Sequence, residues 1–227
     1  MVDAVLFDVG NTLLHLDHLW LAEQAITLGV LVTQEDVGRV DAGVRRRLNE
    51  GLEEVPDSFA AFFARIGRRI GLSSEGAQLF GARAEGEHQR DPRGMWRCVA
   101  EGDVGTVAAL RRRGISVGVI SNSDGRVEEQ LRLAGLRELF AVVVDSRVVG
   151  IEKPDARIFE FALQELSVAP QQALYIGDLL RADVDGARNA GMHALLLDPW
   201  DAYPEIEEGR IRRLAQILPL LGTPPMR

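Results

Sequence analysis

The chain predicts an α/β fold: a parallel sheet whose first strand is followed by a long all-helical insertion. Two observations carry this. Short, almost wholly apolar runs at residues 2–9, 115–120, 141–144, 173–176 and 193–197 alternate with helical patterns at 104–113, 126–134, 156–166 and 183–190, the alternation that βαβ units produce. Between the first two runs, from His15 to Asp91, the periodicity is helical throughout, with no convincing strand.

The first run, Val2-Asp3-Ala4-Val5-Leu6-Phe7-Asp8-Val9, is rich in β-branched and aromatic residues, as a strand buried on both faces requires. It ends at Asp8, before the turn signal Gly10-Asn11-Thr12. In the insertion, segments 19–28, 35–49, 58–70 and 75–87 read as three or four helices. The remaining strands and helices then follow in turn, with Gly114, Gly135 and Gly191 standing just past helix ends, a common stop. The domain boundaries expected from this pattern are a core of residues 1–14 and 92–227 and a helical domain of 15–91.

Composition narrows the class. The 227 residues are 46% hydrophobic and 26% charged, which excludes a disordered, collagenous or disulfide-stapled chain. No apolar run approaches the ~20 residues of a spanning helix. Met1–Ala4 carry no basic segment of the kind that precedes a signal sequence's apolar core. With a single cysteine, Cys98, the expectation is a cytoplasmic protein with no membrane partner. A net charge of −8 argues against nucleic acid as a partner, while leaving room for a locally positive pocket that takes a small anion. Lys153 is the only lysine in the chain; all other basic side chains except the histidines are arginine. A lysine kept against such a bias points to a need for a compact ammonium that a guanidinium fork cannot copy.

Four polar clusters close the apolar strands: Asp8, Ser121-Asn122, Lys153-Pro154 and Gly177-Asp178, with Asp183 five residues beyond the last. Taken singly, each has a plainer role: Asp8 in a turn, Ser121 and Asp178 as helix caps, Lys153 on the surface. Together they are brought to the carboxyl edge of one parallel sheet, where such sheets bind ligands. Asp8 and Asp178 suit a hard, oxygen-liganded cation such as Mg²⁺. A hydroxyl, an amide and an ammonium facing them suit the oxygens of a phosphoryl group, whose transfer needs positioning and charge neutralisation.

These clusters resemble, in order and wording, the motifs of the haloacid dehalogenase-like hydrolase superfamily. D-x-D-x-T-L is matched by Asp8-Val9-Gly10-Asn11-Thr12-Leu13, the apolar run ending in Ser or Thr by Ile120-Ser121-Asn122, and the motif lysine by Lys153 before Pro154. G-D-x-x-x-x-D with G-A-x-x-A-G is matched by Gly177-Asp178 through Asp183 and by Gly186-Ala187-Arg188-Asn189-Ala190-Gly191. The resemblance covers nearly the whole chain. It implies a Rossmann-like, three-layer core with a helical cap, and a Mg²⁺-dependent phosphatase acting on a small phosphorylated metabolite. Asp8 would be the nucleophile, forming an aspartyl-phosphate. Asp8, the Gly10 carbonyl and Asp178 would hold Mg²⁺. Ser121, Asn122 and Lys153 would bind the phosphate, Lys153 also orienting Asp8, with Asp183 and Thr12 in supporting positions. It also makes a cis Lys153–Pro154 bond an expectation.

The departure is Gly10. Phosphatases of this superfamily have a second aspartate there, which protonates the leaving group and then deprotonates the attacking water. Glycine keeps a backbone carbonyl but has no proton-transfer group, a loss of ~10²–10⁴-fold in rate for such catalysis. Three readings follow: a phosphatase limited to good leaving groups or given its proton by another group such as His15 or His18, a catalytically weak protein that binds a phosphorylated ligand or a protein partner, and a haloacid dehalogenase. Gly177-Asp178 counts against the last, whose fourth motif lacks it. Schiff-base chemistry of the phosphonoacetaldehyde hydrolase type needs a cap lysine that this chain does not have. A phospho-accepting receiver domain is rejected because Lys153 precedes Gly177-Asp178.

Overall fold

The computed structural model describes residues 2–100 and 102–222. In chain order the elements begin with β1 (Ala4–Phe7), β2 (His15–Leu16), α1 (His18–Thr27), α2 (Gln34–Asn49), α3 (Phe59–Arg69), α4 (Ser74–Arg90), β3 (Trp96–Cys98) and α5 (Asp103–Arg112). They continue with β4 (Ser116–Ser121), α6 (Val127–Leu133), β5 (Val142–Asp145), α7 (Ser146–Val149), α8 (Ala156–Leu166) and β6 (Ala173–Gly177). A π-helical turn at Leu180–Asp185 then precedes α9 (Gly186–Asn189), β7 (His193–Leu197), β8 (Arg210–Ile211) and α10 (Ile217–Leu220). Two compact units result: one of the chain up to His15, Cys98–Pro199 and from Tyr203 onward, the other of Leu16–Arg97 with Trp200–Ala202. Among the described residues no helix is long and apolar enough to cross a membrane.

The first unit is a Rossmann-like α/β core. Its sheet runs β5-β4-β1-β6-β7-β8 with every pairing parallel. Parallel strands in register end together: Phe7 stands opposite Val119 on one side and Ile176 on the other. Asp8 and Asp178, just past the ends of β1 and β6, and Ser121, the last residue of β4, therefore share one edge. β1 and β6 are buried along their whole length, which is why their sequences show apolar runs rather than alternation.

The second unit is helical. Leu21, Val37, Phe63, Ile66, Phe80 and Met95 share its core. Asp17, Ser58 and Ser73 cap α1, α3 and α4 by accepting backbone N–H groups, and Thr33 with Asp36 forms a capping box on α2. α3 and α4 approach so closely that a Cβ at Gly81 would lie 2.2 Å from the Ala60 carbonyl oxygen. The unit extends to Arg97 rather than stopping at 91. Met95 belongs to its core, and the Arg97 guanidinium pairs with Asp17, Glu87 and Asp91. Trp200 joins it because the indole fills the space over Gly38.

Three features depart from the pattern read off the sequence. The pair β2–β3 and the edge strand β8 are two or three residues long, too short for a periodicity to register. The helix expected at 183–190 is a π-helical turn followed by the single α-turn of α9. The π geometry widens the turn just where Asp183 must reach back towards β6.

Candidate active site

Asp8 is the first residue after β1, and its backbone N–H donates to the Ile176 carbonyl of the neighbouring strand at 2.8 Å. Its side chain is buried, and Asp8 Oδ1 accepts from Lys153 Nζ at 2.6 Å. The same ammonium donates to Asp183 Oδ1 at 2.7 Å and to the Tyr175 hydroxyl at 3.0 Å. One carboxylate oxygen each from Asp8, Asp178 and Asp183 lie within 4.8 Å of one another. Four of the residues singled out in the sequence thus converge.

Lys153 reaches this point because its backbone is held from below. The Asn122 side-chain amide donates to the Lys153 carbonyl at 2.9 Å and accepts the Lys153 N–H at 2.8 Å. The Lys153–Pro154 bond is cis. Asn122, expected at the phosphate, is thus joined by both amide atoms to the lysine's main chain. Ser121 is the last residue of β4, buried, and paired in register with Asp145.

Asp183 is held from both sides. Its Oδ1 faces Lys153 and Tyr175, and its Oδ2 accepts the Leu179 N–H at 2.9 Å. The side chain lies so near β6 that a Cβ at Gly177 would sit 2.3 Å from Asp183 Cγ. Glycine before Asp178 is therefore a steric requirement of the supporting aspartate. Gly10 lies in the turn after Asp8, bridged to Leu14, with Asn11 beside it in the left-handed region at φ 59°. Thr12 is fully buried, and its Oγ1 has no hydrogen-bond partner among the described residues. The two histidines that follow the first motif both face carboxylates. His15 Nε2 lies 3.4 Å from Asp103 Oδ2, and His18 Nε2 lies 3.1 Å from Asp41 Oδ2 in the helical unit.

The charges explain the titration. Burial pushes the Asp8 carboxyl up to about 6; Lys153 pulls against this and the Asp183 carboxylate adds to it. Burial disfavours the Lys153 ammonium, but Asp183 and Asp8 together outweigh it and raise its pKa, so it stays protonated. Burial first, then the charges of Asp183 and Asp8, raise the Tyr175 phenol well above its ordinary value. The three carboxylates are buried, and all three offer hard oxygen donors. That donor set fits a divalent cation of the Mg²⁺ type.

Tyr175 was not singled out from the sequence. The signal was present: a tyrosine in an otherwise aliphatic, doubly buried strand, Ala173-Leu174-Tyr175-Ile176, since a buried phenol needs a partner.

The sequence profile of the haloacid dehalogenase-like hydrolases matches residues 2–191. The chain belongs to this family. It is 32% identical to a glyceraldehyde 3-phosphate phosphatase of Methanopyrus kandleri over 196 residues, 85% of this chain and 82% of that protein. It is 40% identical to the haloacid dehalogenase-like hydrolase domain-containing protein 3 of Bos taurus over 131 residues, 54% of this chain. That match spans about half (51%) of the bovine protein's length. Among solved structures, the HAD-hydrolase YfnB of Bacillus subtilis, bound to magnesium, superposes with a TM-score of 0.67 over 98% of this chain and 99% of that one at 21% identity. Phosphatases are among its relatives.

Proposed function

We propose that the protein is a Mg²⁺-dependent phosphatase acting on a small phosphorylated metabolite through an aspartyl-phosphate on Asp8, selective for good leaving groups. The observation that carries this is the buried cluster of Asp8, Asp178 and Asp183 carboxylates with Lys153 2.6 Å from Asp8. The kinship with a phosphatase of similar length supports the reaction class. Asp8, the Gly10 carbonyl and Asp178 would hold Mg²⁺, which when bound neutralises phosphoryl charge. Lys153 keeps the Asp8 carboxylate in one orientation, and Asp183 keeps Lys153. An Asp8 oxygen forms a bond to phosphorus as the bond from phosphorus to the leaving oxygen breaks, and that oxygen departs with the electron pair. Water then attacks the same phosphorus as the bond from the Asp8 oxygen to phosphorus breaks, the Asp8 oxygen keeping the electron pair; both protons of the water leave on the released inorganic phosphate, and the carboxylate is restored. Ser121, at the end of β4, is the hydroxyl assigned to the phosphate, and the helical unit corresponds to the family's cap.

Gly10 sets the selectivity. With no side chain there and with His15 and His18 each engaged by a carboxylate, no group is assigned to protonate a departing alkoxide. An acyl or aryl phosphate, whose leaving group departs without a proton, is the favoured substrate class. The test is a leaving-group series of acyl, aryl and alkyl phosphates with Mg²⁺ and with chelator. Rates should fall steeply as leaving-group pKa rises and vanish with chelator. No turnover of any member, with phosphate still bound, would favour the alternative of a binding protein. Equal rates on aryl and alkyl esters would mean another residue supplies the proton.

A further inference from the structure

An ammonium has three N–H donors. Lys153 directs them at Asp8 Oδ1, Asp183 Oδ1 and the Tyr175 hydroxyl, at 2.6, 2.7 and 3.0 Å. The Tyr175 oxygen in turn lies 3.0 Å from the Ile120 carbonyl and 3.3 Å from Asp183 Oδ1. The phenol thus takes a hydrogen bond from the lysine and has two acceptors for its own proton, one at the end of β4 just before Ser121 and one on the carboxylate that also faces the lysine. Its ring is fully buried and packed edge-to-face on Phe159, centroids 5.1 Å apart. The backbone end of Lys153 is fixed by Asn122, and Tyr175 fixes the other end.

We propose that Tyr175 is a positioning residue: its hydroxyl completes the hydrogen bonding of the Lys153 ammonium and so aims it at Asp8. Without the hydroxyl, one N–H would be left buried and unpaired, and the ammonium would rotate or shift to satisfy it. The two carboxylates would then be held less firmly. The kinetic consequence rests on the reading of Asp8 as nucleophile; the hydrogen-bond consequence does not.

The chain provides its own probe. Because Lys153 is the only lysine, protein labelled with ¹⁵N at the lysine side chain gives a single ammonium resonance. In the wild type that resonance should be visible and slow to exchange with water, as a buried, fully bonded ammonium is. Tyr175→Phe removes one oxygen and leaves the ring. It should shift the resonance and speed its exchange at least about tenfold. On the best aryl phosphate, kcat should fall about tenfold with KM within about twofold, the pattern of lost orientation rather than lost binding. A wild-type resonance as labile as that of an exposed lysine overturns the proposal without any variant. An unchanged resonance in Tyr175→Phe overturns it, and so does a changed resonance with unchanged kcat, since the hydroxyl would then satisfy the ammonium without aiming it. If no phosphate ester is turned over at all, the phosphatase reading fails, and the exchange measurement still decides the role of the hydroxyl.

Discussion

Arginine occupies the basic positions of this chain almost everywhere, yet the one between Asp8 and Asp183 is a lysine, nearly wholly buried. Three acceptors lie around a single nitrogen, an arrangement that fits a compact ammonium and not a planar fork with five donors. Lys153→Arg should therefore lose most of the activity, and the proof is a rate assay on the wild-type's best substrate beside a melting curve. A fully active variant would remove Lys153 from the machinery. Gly10 makes the complementary case, since what it lacks can be added. Gly10→Asp should raise turnover of alkyl phosphates by up to ~10²-fold and of aryl phosphates hardly at all, because only the former need general acid catalysis. No gain on either would show that proton transfer is not what limits the wild type, and an equal gain on both would place the limit at hydrolysis of the aspartyl-phosphate, where the added aspartate deprotonates the attacking water for every substrate.

At the scale of elements, the site is made by strand ends and by the turn that follows β6. The parallel strands were legible as continuous apolar runs, because burial on both faces erases alternation and leaves composition as the signal. Asp8 and Asp178 were legible for the same reason, each a polar residue at the end of such a run; Lys153 stood out as the only lysine in the chain, and Asp183 by its spacing after Gly177-Asp178. Tyr175 stands inside a run, marked only as a phenol among aliphatic residues, and the double grip of Asn122 on the Lys153 backbone depends on a loop conformation that no spacing encodes. The π-helical turn was hidden too, since one widened turn leaves residues 183–190 looking helical in sequence. Its purpose shows in the contact of Asp183 with Gly177. Gly177→Ala should push the Asp183 carboxylate off Lys153 and overpack the strand end, with a loss of about 1–3 kcal/mol and a large loss of activity. Denaturant unfolding together with the rate assay checks this. Retained activity would mean that Asp183 can move without consequence for Lys153.

For the molecule as a whole, the helical unit has a core of its own and, beside it, a buried carboxylate that ties stability to pH. In the helical unit Asp41 has no exposed surface. Its carboxylate lies 3.1 Å from His18 Nε2 and accepts from Arg45 Nε at 3.2 Å. Burial alone would raise its pKa, but Arg45 and His18 together outweigh burial and hold it below its ordinary value of 3.8. The sign then follows. As the pH falls, the unfolded chain takes up this proton before the folded one does, so the stabilisation from Asp41 is complete above about 4 and drains away as pH drops through the lower, folded-state pKa. Asp41→Asn removes the titration and leaves Arg45 without its buried counter-charge, a loss of about 3 kcal/mol at neutral pH. The decisive quantity is the difference in unfolding free energy between wild type and variant, measured at about pH 7, 5, 4 and 3. It should shrink below about pH 4, because the wild type alone loses the ionised carboxylate. A difference that stays the same at the lowest pH would mean that the fold uses Asp41 for its shape and hydrogen bonds rather than for its charge.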